Sequence, residues 1–417
     1  MIYAHDDDVC VISMDDNSVN FVSLVKNTDI IHFCCDRYSG HSLKTAEQEH
    51  RYVHSKPAKE YEVSAQYTAP DPQEFFAVSE NKANLLRFLC EEWCQNETLK
   101  SSLGTTHLYL SGGFKEETRS VVIKEGCVVD VPALESTQQE ADTRVILHTI
   151  YSVQARKVDR VVIHANDTDI IIMCLYHAAT HLLDLPELWV RTEQDAYLPI
   201  HHMVSALGLA QCRALPFIHS LSGRDTTSYP FFTGKKAWFK TSMGLDLPAL
   251  QEFGENSSYS LSEDVKNQAR DLTIAVYASK ADHSEDFDLA KLRVYKFLNN
   301  RSTLLKLLPP TENAFGLHLK RAALAAIIDK TAHIAKPDIP CFTEYGWSLS
   351  DGKAVPCPST EPAWPISMDK AISCSCIKGC QKNCSCAKKG IACYLGCRCQ
   401  GLETRCSRIG IHDSDSD

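Results

Sequence analysis

The sequence has no run of 18 or more apolar residues: the best candidate, Val161 to Tyr176, is broken by Asp167 and Asp169, which excludes a helical membrane span. It also opens without the marks of an export signal. Met1 to Val9 carries Asp6, Asp7 and Asp8 where a secretory leader has a basic stretch and an apolar core, so an oxidising destination is not expected. Positive charge is scarce, with a formal net charge of -10, so contact with nucleic acid has to be local. No basic targeting run is present. Thr233-Gly234-Lys235-Lys236-Ala237 is not a phosphate-binding P-loop, which would need glycine at Tyr229 and Ser or Thr at Lys236. Ser222-Gly223 lacks a nucleophile-elbow context, which argues against a serine hydrolase. The 17 histidines, among them His148, His164, His201 and His202, do not stand at ligand spacing with cysteines and read as ordinary core or surface residues.

Cysteine, by contrast, is plentiful and unevenly placed. Nine of the 19 fall between positions 374 and 406: Cys374, Cys376, Cys380, Cys384, Cys386, Cys393, Cys397, Cys399 and Cys406. The rhythm C-x-C-x3-C-x3-C-x-C-x6-C-x3-C-x-C-x6-C nearly repeats from Cys393 what it begins at Cys380. A segment this short cannot bury a sizeable core, and chains below roughly 40 residues usually fold on metals or disulfides. Disulfides suit a secreted chain with an even cysteine count, so zinc is the stronger reading. Three tetrahedral zinc ions need twelve ligand positions. Nine thiolates supply twelve when three of them bridge. The remaining ten cysteines are scattered in mostly apolar settings such as Cys34, Cys35, Cys90 and Cys174 and read as reduced core residues.

This segment resembles the tesmin-type CXC domain, and the resemblance implies three zinc ions on nine cysteines and, in several relatives, DNA binding. Lys378, Lys382, Lys388, Lys389, Arg398, Arg405 and Arg408 face a single acid, Glu403, so the segment carries about +6 and leaves about -16 for the rest of the chain. Nine thiolates with three Zn2+ sum to about -3; part of the basic load neutralises the cluster and the remainder is available to phosphates. Tyr394 is placed either to approach a groove or to pack.

Upstream, Ile30 to Cys35 and Val161 to Ala165 read as buried strands, and Lys82 to Cys94 and Gln139 to Val153 as helices. This alternation predicts an α/β parallel sheet. From about residue 260 the pattern turns helical: Ser260 and Glu263 form a capping box, and Ala314 to Ala335 is amphipathic. The predicted organisation is a body over 1–250, a helical extension over 251–336, a proline-rich linker over 337–372, a zinc module over 373–408 and an acidic tail over 409–417. Acids stand where strands finish: Asp36 after Ile30 to Cys35, Asp167 and Asp169 after Val161 to Ala165, and Asp225 after a run Ile218 to Leu221 read as a strand. Glu140 and Asp142 open a helix. In open α/β sheets ligands sit beyond the carboxyl ends of the strands, and oxygen-only ligands favour Mg2+ or Mn2+. Any one such acid is more often a cap or turn residue. Glu140 can close a capping box with Thr137, although Ser136 and Gln139 offer an equivalent one.

The order Asp36-Arg37 with Ser42-Leu43-Lys44, then Glu140-Ala141-Asp142, Asp167-Thr168-Asp169 and Leu221-Ser222-Gly223-Arg224-Asp225, resembles the flap endonuclease group of PIN-like nucleases over roughly residues 28–245. The resemblance implies a parallel sheet with helices on both faces and metal ligands at Asp36, Glu140, Asp142, Asp167, Asp169 and Asp225. It also implies phosphate-holding residues Lys44 and Arg51, and a degraded helix-hairpin-helix turn at 233–237. The group's first strand ends in a further metal-binding aspartate. Here the nearest match is Val9 to Met14 before Asp15, so that strand is expected to be missing or rewritten. The chain is similar to nuclease-like proteins of mobile elements in animal genomes, many with a cysteine-rich tail. Two readings follow: a Mg2+- or Mn2+-dependent, structure-selective nuclease acting on DNA, held there by the zinc module and nuclear by virtue of its partner; or a non-cutting DNA- or chromatin-binding zinc protein that keeps the nuclease fold as a scaffold.

Overall fold

The computed structural model describes residues 8–13, 28–37, 59–64, 72–76, 78–192, 194, 196–230, 233–255, 259–278, 288–299, 307–362, 374–376, 379–381, 383–388, 393, 397–399 and 406. The chain divides into two compact units. The first comprises Met1–Ser228, Asp246–Val265 and Lys320–Pro356; the second comprises Tyr229–Leu245, Lys266–Leu319 and Cys357–Asp417.

An eight-stranded sheet organises the first unit. Its strands are β1 (Asp8–Ser13), β2 (Ile30–Cys34), β3 (His107–Ser111), β4 (Ser120–Lys124), β5 (Cys127–Asp130), β6 (Arg160–His164), β7 (Glu187–Arg191) and β8 (Tyr197–Pro199), in the spatial order β5-β4-β3-β2-β1-β6-β7-β8. The five central strands are parallel, and β4, β5 and β8 extend the edges antiparallel. β2 is buried along its whole length because both faces of the sheet are covered. Ile31 and Phe33 pack with Leu86 and Cys90 of helix α1 (Ser79–Gln95), behind which the short helix α2 (Glu97–Leu103) contributes Leu103. Ile30 and Cys34, on the opposite face, pack with Val145 and Ile146 of helix α3 (Ala141–Arg156) and Ile170 and Met173 of helix α4 (Thr168–Ala178). The period of two along one strand thus sets two separate cores.

β1 is a finding in itself. The sequence led us to expect the first strand to be missing or rewritten, yet Asp8–Ser13 lies at the centre, pairing in parallel with β2 (Val9 opposite Ile30) and with β6 (Val9 opposite Val161). Flanked on both sides, a strand needs little length to be held. From β1 the chain builds outward through β2 and β3 and then returns to β6 on its other side. The β1/β6 boundary is therefore the switch point of the sheet, and in open α/β sheets ligands sit beyond the carboxyl ends at such a point.

Three local expectations are corrected. Ile218 to Leu221 is not a strand but the end of a helix: α5 (Ile200–Leu207) is followed by α6 (Leu209–Leu221), whose residues from Ala214 onward are all buried. A helix buried all round loses the polar face that betrays a 3.6-residue period. Helices α7 (Lys235–Ser242) and α8 (Pro248–Glu252) come next, then α9 (Glu263–Tyr277). The cap of α9 is Ser262, whose Oγ accepts from the Val265 backbone N–H at 3.3 Å, two residues later than the Ser260–Glu263 box. After α10 (Leu289–Asn299), α11 (Glu312–Lys330) replaces the amphipathic Ala314–Ala335; its residues Arg321 to Ile327 are buried on every side.

The supposed linker is also partly folded. Within 337–372, β9 (Trp347–Ser350) and β10 (Lys353–Pro356) form an antiparallel hairpin that belongs to the first unit. Arg321 donates to the Gly346 carbonyl at 3.0 Å and Tyr345 Oη–H to the Tyr259 carbonyl at 2.7 Å. Proline content misled here because the prolines stand outside the hairpin except for Pro356, which occupies the end of its second strand opposite Trp347 and does not interrupt the pairing. In the second unit the cysteine segment is not a separate bead: seven of its cysteines are buried in one cluster with Phe297 of α10 and Leu308. Among the described residues no helix is long and apolar enough to cross a membrane.

Candidate metal centres

In the cysteine segment, backbone N–H groups and short turns bring the sulfurs together. Cys384 accepts from Lys388 N–H in the turn Ser385–Lys388, and the Cys374 carbonyl accepts from Arg398 N–H, each at 2.9 Å, tying the first half of the segment to the second. The Sγ separations are 3.7 Å for Cys374–Cys380, 3.9 Å for Cys374–Cys393, 4.0 Å for Cys374–Cys399, 3.8 Å for Cys384–Cys393, and 3.5 Å for both Cys386–Cys397 and Cys380–Cys393. A disulfide would bring two sulfurs to about 2.05 Å. Four sulfurs about 2.3 Å from a tetrahedral zinc stand about 3.8 Å apart. The thiols are spaced as the edges of metal tetrahedra, so this donor set fits zinc. Three overlapping sets have all four sulfurs within 4.8 Å of one another: Cys374, Cys376, Cys380, Cys384; Cys374, Cys386, Cys393, Cys397; and Cys374, Cys380, Cys393, Cys399. Cys406 is buried beside Cys380 and Cys393. Of the basic residues named for nucleic acid, Lys388 and Arg398 are exposed; Lys378, Lys382, Lys389 and Arg405, with Tyr394 and Arg408, lie outside the described residues.

The acids occupy the carboxyl edge of the sheet. Asp36 follows β2, and its Oδ1 accepts from the Ala141 backbone N–H at 2.7 Å, so it caps α3 from more than a hundred residues away. Glu140 is the N-cap residue of α3 but its side chain makes no cap bond, and Asp142 sits in the first turn. Neither sequence-level box forms; Ser136 Oγ instead accepts from Gln138 N–H at 3.0 Å. Asp167 caps α4 by accepting from Asp169 N–H at 2.9 Å. Asp169 is held from two sides, by His219 Nε2 at 2.6 Å and by Arg224 at 2.7 Å. Arg224 reaches on to Asp329, also at 2.7 Å. Gly223, at φ 99°, turns the chain sharply out of α6 and lets Arg224 point back toward α4. Asp225 is exposed at that turn, following a helix rather than a strand. Lys44, Arg51 and Asp15 lie outside the described residues.

Electrostatics at this edge centre on Arg224, which sequence reasoning passed over as a spacer inside a motif. Burial opposes its charge, but the carboxylates of Asp329, Asp169 and Glu140 more than offset that, holding the guanidinium protonated above its ordinary range. Burial pushes the Asp329 carboxyl up and Arg224 pulls it back. Below the edge, Arg144 is fully buried, donating to Ser111 Oγ at 3.0 Å and to the Gln138 carbonyl at 2.7 Å, and burial brings it down to about 10. Among the described residues, no three of the six named acids bring oxygens within 4.8 Å of one another. Of the six, Asp169 pairs directly with Arg224, and Glu140 acts on its charge. A pocket of about 470 Å3, lined by Asp29, Thr105, His107, Arg156 and Asp159, opens at the opposite, amino edge of the sheet.

No family model matches the chain, and no curated protein matches it. Among solved structures, the T5 D15 protein co-crystallised with metal ions aligns over 64% of this chain and 86% of its own, at 11% identity and a TM-score of 0.32. That likeness is too slight to assign a fold or a site.

Proposed function

We propose that the protein is a zinc-cluster protein that binds DNA, with an α/β body of PIN-like type serving as a non-cutting scaffold. The zinc part rests on the sulfur spacing. Cys374, Cys376, Cys380 and Cys384 hold one ion; Cys374, Cys386, Cys393 and Cys397 a second; Cys380, Cys393, Cys399 and Cys406 a third. Cys406 takes the place in the third set that would otherwise make Cys374 serve three ions. Cys374, Cys380 and Cys393 then each bridge two, and nine sulfurs fill twelve positions. Metal bound in this way supplies folding free energy, roughly 10–16 kcal/mol per structural zinc in small finger-type peptides. The chain's own part is to present thiolates and to cover them with Phe297 and Leu308. Exposed Lys388 and Arg398, with Lys235, Lys236 and Lys240 on α7, offer cations to phosphates. A tesmin-type CXC module, a mobile-element origin and a nuclear site of action belong to the same reading.

The non-cutting part rests on Arg224. A divalent ion bound by Asp169 would have to displace a guanidinium that Asp169 and Asp329 already neutralise. The second reading, hydrolysis by Mg2+ or Mn2+ held on Asp36, Glu140, Asp142, Asp167, Asp169 and Asp225, is favoured by one observation: all but Asp225 stand at the carboxyl ends of strands or on the first turns of the helices that follow.

The deciding experiment uses the full chain with labelled single-stranded, duplex and 5′-flap DNA in Mg2+ or Mn2+, beside an Asp167→Asn, Asp169→Asn double variant. The proposal expects three zinc per chain, DNA binding that weakens with salt, and no cutting by either protein. Cutting by the wild type that the double variant loses would replace it with the nuclease reading, and loss of zinc without loss of DNA binding would remove the cysteine segment from the interface.

A further inference from the structure

A third ligand set lies in the first unit, far from the cysteines in sequence and independent of the function proposed above. His177 stands in the last turn of α4, His181 follows one turn later, and His333 comes from the turn after α11. One ring nitrogen from each lies within 4.8 Å of the others. His177 Nδ1 and His181 Nδ1 are 3.2 Å apart, and the rings of His181 and His333 stack with centroids 3.8 Å apart.

The hydrogen bonds around the trio fix which nitrogen of each ring keeps its lone pair. His177 Nε2 is 3.0 Å from the Asp329 carbonyl, and His333 Nδ1 is 3.0 Å from the Lys330 carbonyl. A carbonyl only accepts, so each of those nitrogens carries the proton. The lone pairs are therefore on His177 Nδ1 and His333 Nε2. This is the arrangement of metal-binding histidines, in which the second N–H is spent on a backbone carbonyl that fixes the tautomer and the ring angle. Thr180 Oγ donates to the Tyr176 carbonyl at 2.8 Å and lies 2.8 Å from His181 Nδ1. Its own proton spent, it accepts from His181 Nδ1–H, so the lone pair of that ring is on Nε2. His177 is buried while His181 and His333 are half-buried, so the trio is supported from below and reachable from one side.

We infer that His177, His181 and His333 form a nitrogen-only site for one late first-row transition ion, Zn2+ or Co2+ by type, with its fourth position open to water. Imidazole suits these ions, and three protein ligands leave a tetrahedral site one place short. The sequence hid this site because its third ligand stands 152 residues beyond the second.

The test titrates Co2+ into the full-length, zinc-loaded protein and follows the visible spectrum, beside His181→Gln and His333→Gln variants whose zinc content and circular dichroism are checked against wild type. One further Co2+ should bind with the weak visible bands of nitrogen and oxygen ligation and without the near-ultraviolet sulfur charge-transfer band that exchange into the cysteine cluster would give. Each variant should lose at least about tenfold in affinity, as changes that disturb a metal site's ligand set do. Should one variant fail to fold, the other decides. No Co2+ bound beyond that entering the cysteines, or equal binding by wild type and a folded variant, would overturn the assignment.

Discussion

Replacing Arg224 by methionine removes the guanidinium that joins Asp169 to Asp329 but keeps much of the side chain's volume. Asp329 is 1% exposed, so water cannot take the place of the lost partner. Leaving one member of a buried pair uncompensated costs about 3–5 kcal/mol. At a urea dependence of about 1–3 kcal/mol per molar, the unfolding midpoint of the first unit should fall by about 1–5 M. A second change, Asp329→Leu, should return most of that loss, because it removes the stranded charge rather than restoring a partner. Acid offers an independent check. Without Arg224 the Asp329 carboxyl rises further under burial, so the folded state binds a proton that the unfolded chain releases. The deficit relative to wild type should therefore shrink as pH falls from 7 toward the ordinary carboxylate range. Urea titrations of wild type, single and double variants at two pH values decide the matter. A single-variant cost below about 1 kcal/mol, the scale of a solvent-screened ion pair, would refute the claim that this edge of the sheet is neutralised by a buried arginine.

Burial and the nearby Arg144 hold His148 down to about 3, and its Nε2 is buried without a partner. Its folded value lies below the unfolded 6.5, so the stability it protects is intact above pH 6.5 and is lost as pH falls toward 3; at pH 4.5 the loss is about 3 kcal/mol, and His148→Gln should flatten the urea-midpoint profile by about one proton. Gly112→Ala should destabilise the first unit by at least about 1 kcal/mol, because its φ is +90° and a Cβ would stand 2.4 Å from the Cys35 carbonyl oxygen; an unchanged melting temperature would show that this loop moves freely. Chelation should open residues 374–406 to protease and zinc should close them again, whereas protection that survives chelation would mean the segment folds without metal.

How much could be read beforehand varied with the range of the signal. Sulfur spacing is local, and the nine cysteines found one another as their rhythm suggested. The strands β2 and β6 and the helices α1 and α3 were visible because short β-branched runs alternate with longer periodic ones. β1 was undervalued because six residues carry little pattern; its place is set by two neighbours, one of them 152 residues away at β6. Ile218 to Leu221 looked like a strand because burial on all sides erases helical periodicity. Among the acids, position was legible and engagement was not. That Asp36 caps α3 and that Asp169 is claimed by Arg224 and His219 depends on side chains brought together by the sheet.

Asp329 and Lys330 are adjacent, opposite in charge and each 1% exposed. One carboxylate takes Arg224, while Lys330 Nζ gives hydrogen bonds to the carbonyls of Leu250, Gln251 and Phe253 at 2.7–3.2 Å. Asp329 is synthesised 105 residues after Arg224, and Lys330 77 residues after Phe253. A nascent chain that has emerged only to residue 250 therefore offers Arg224 Asp169 without Asp329 and lacks the amine that meets the carbonyls at the end of α8, and its body has to wait for the rest. Since domains ordinarily fold as they leave the ribosome at about 5–20 residues per second, this pair imposes a delay of several seconds. An expression fragment ending at the apparent domain boundary near 250 would inherit the same gap permanently, and fragments meant to fold alone should run through Pro356.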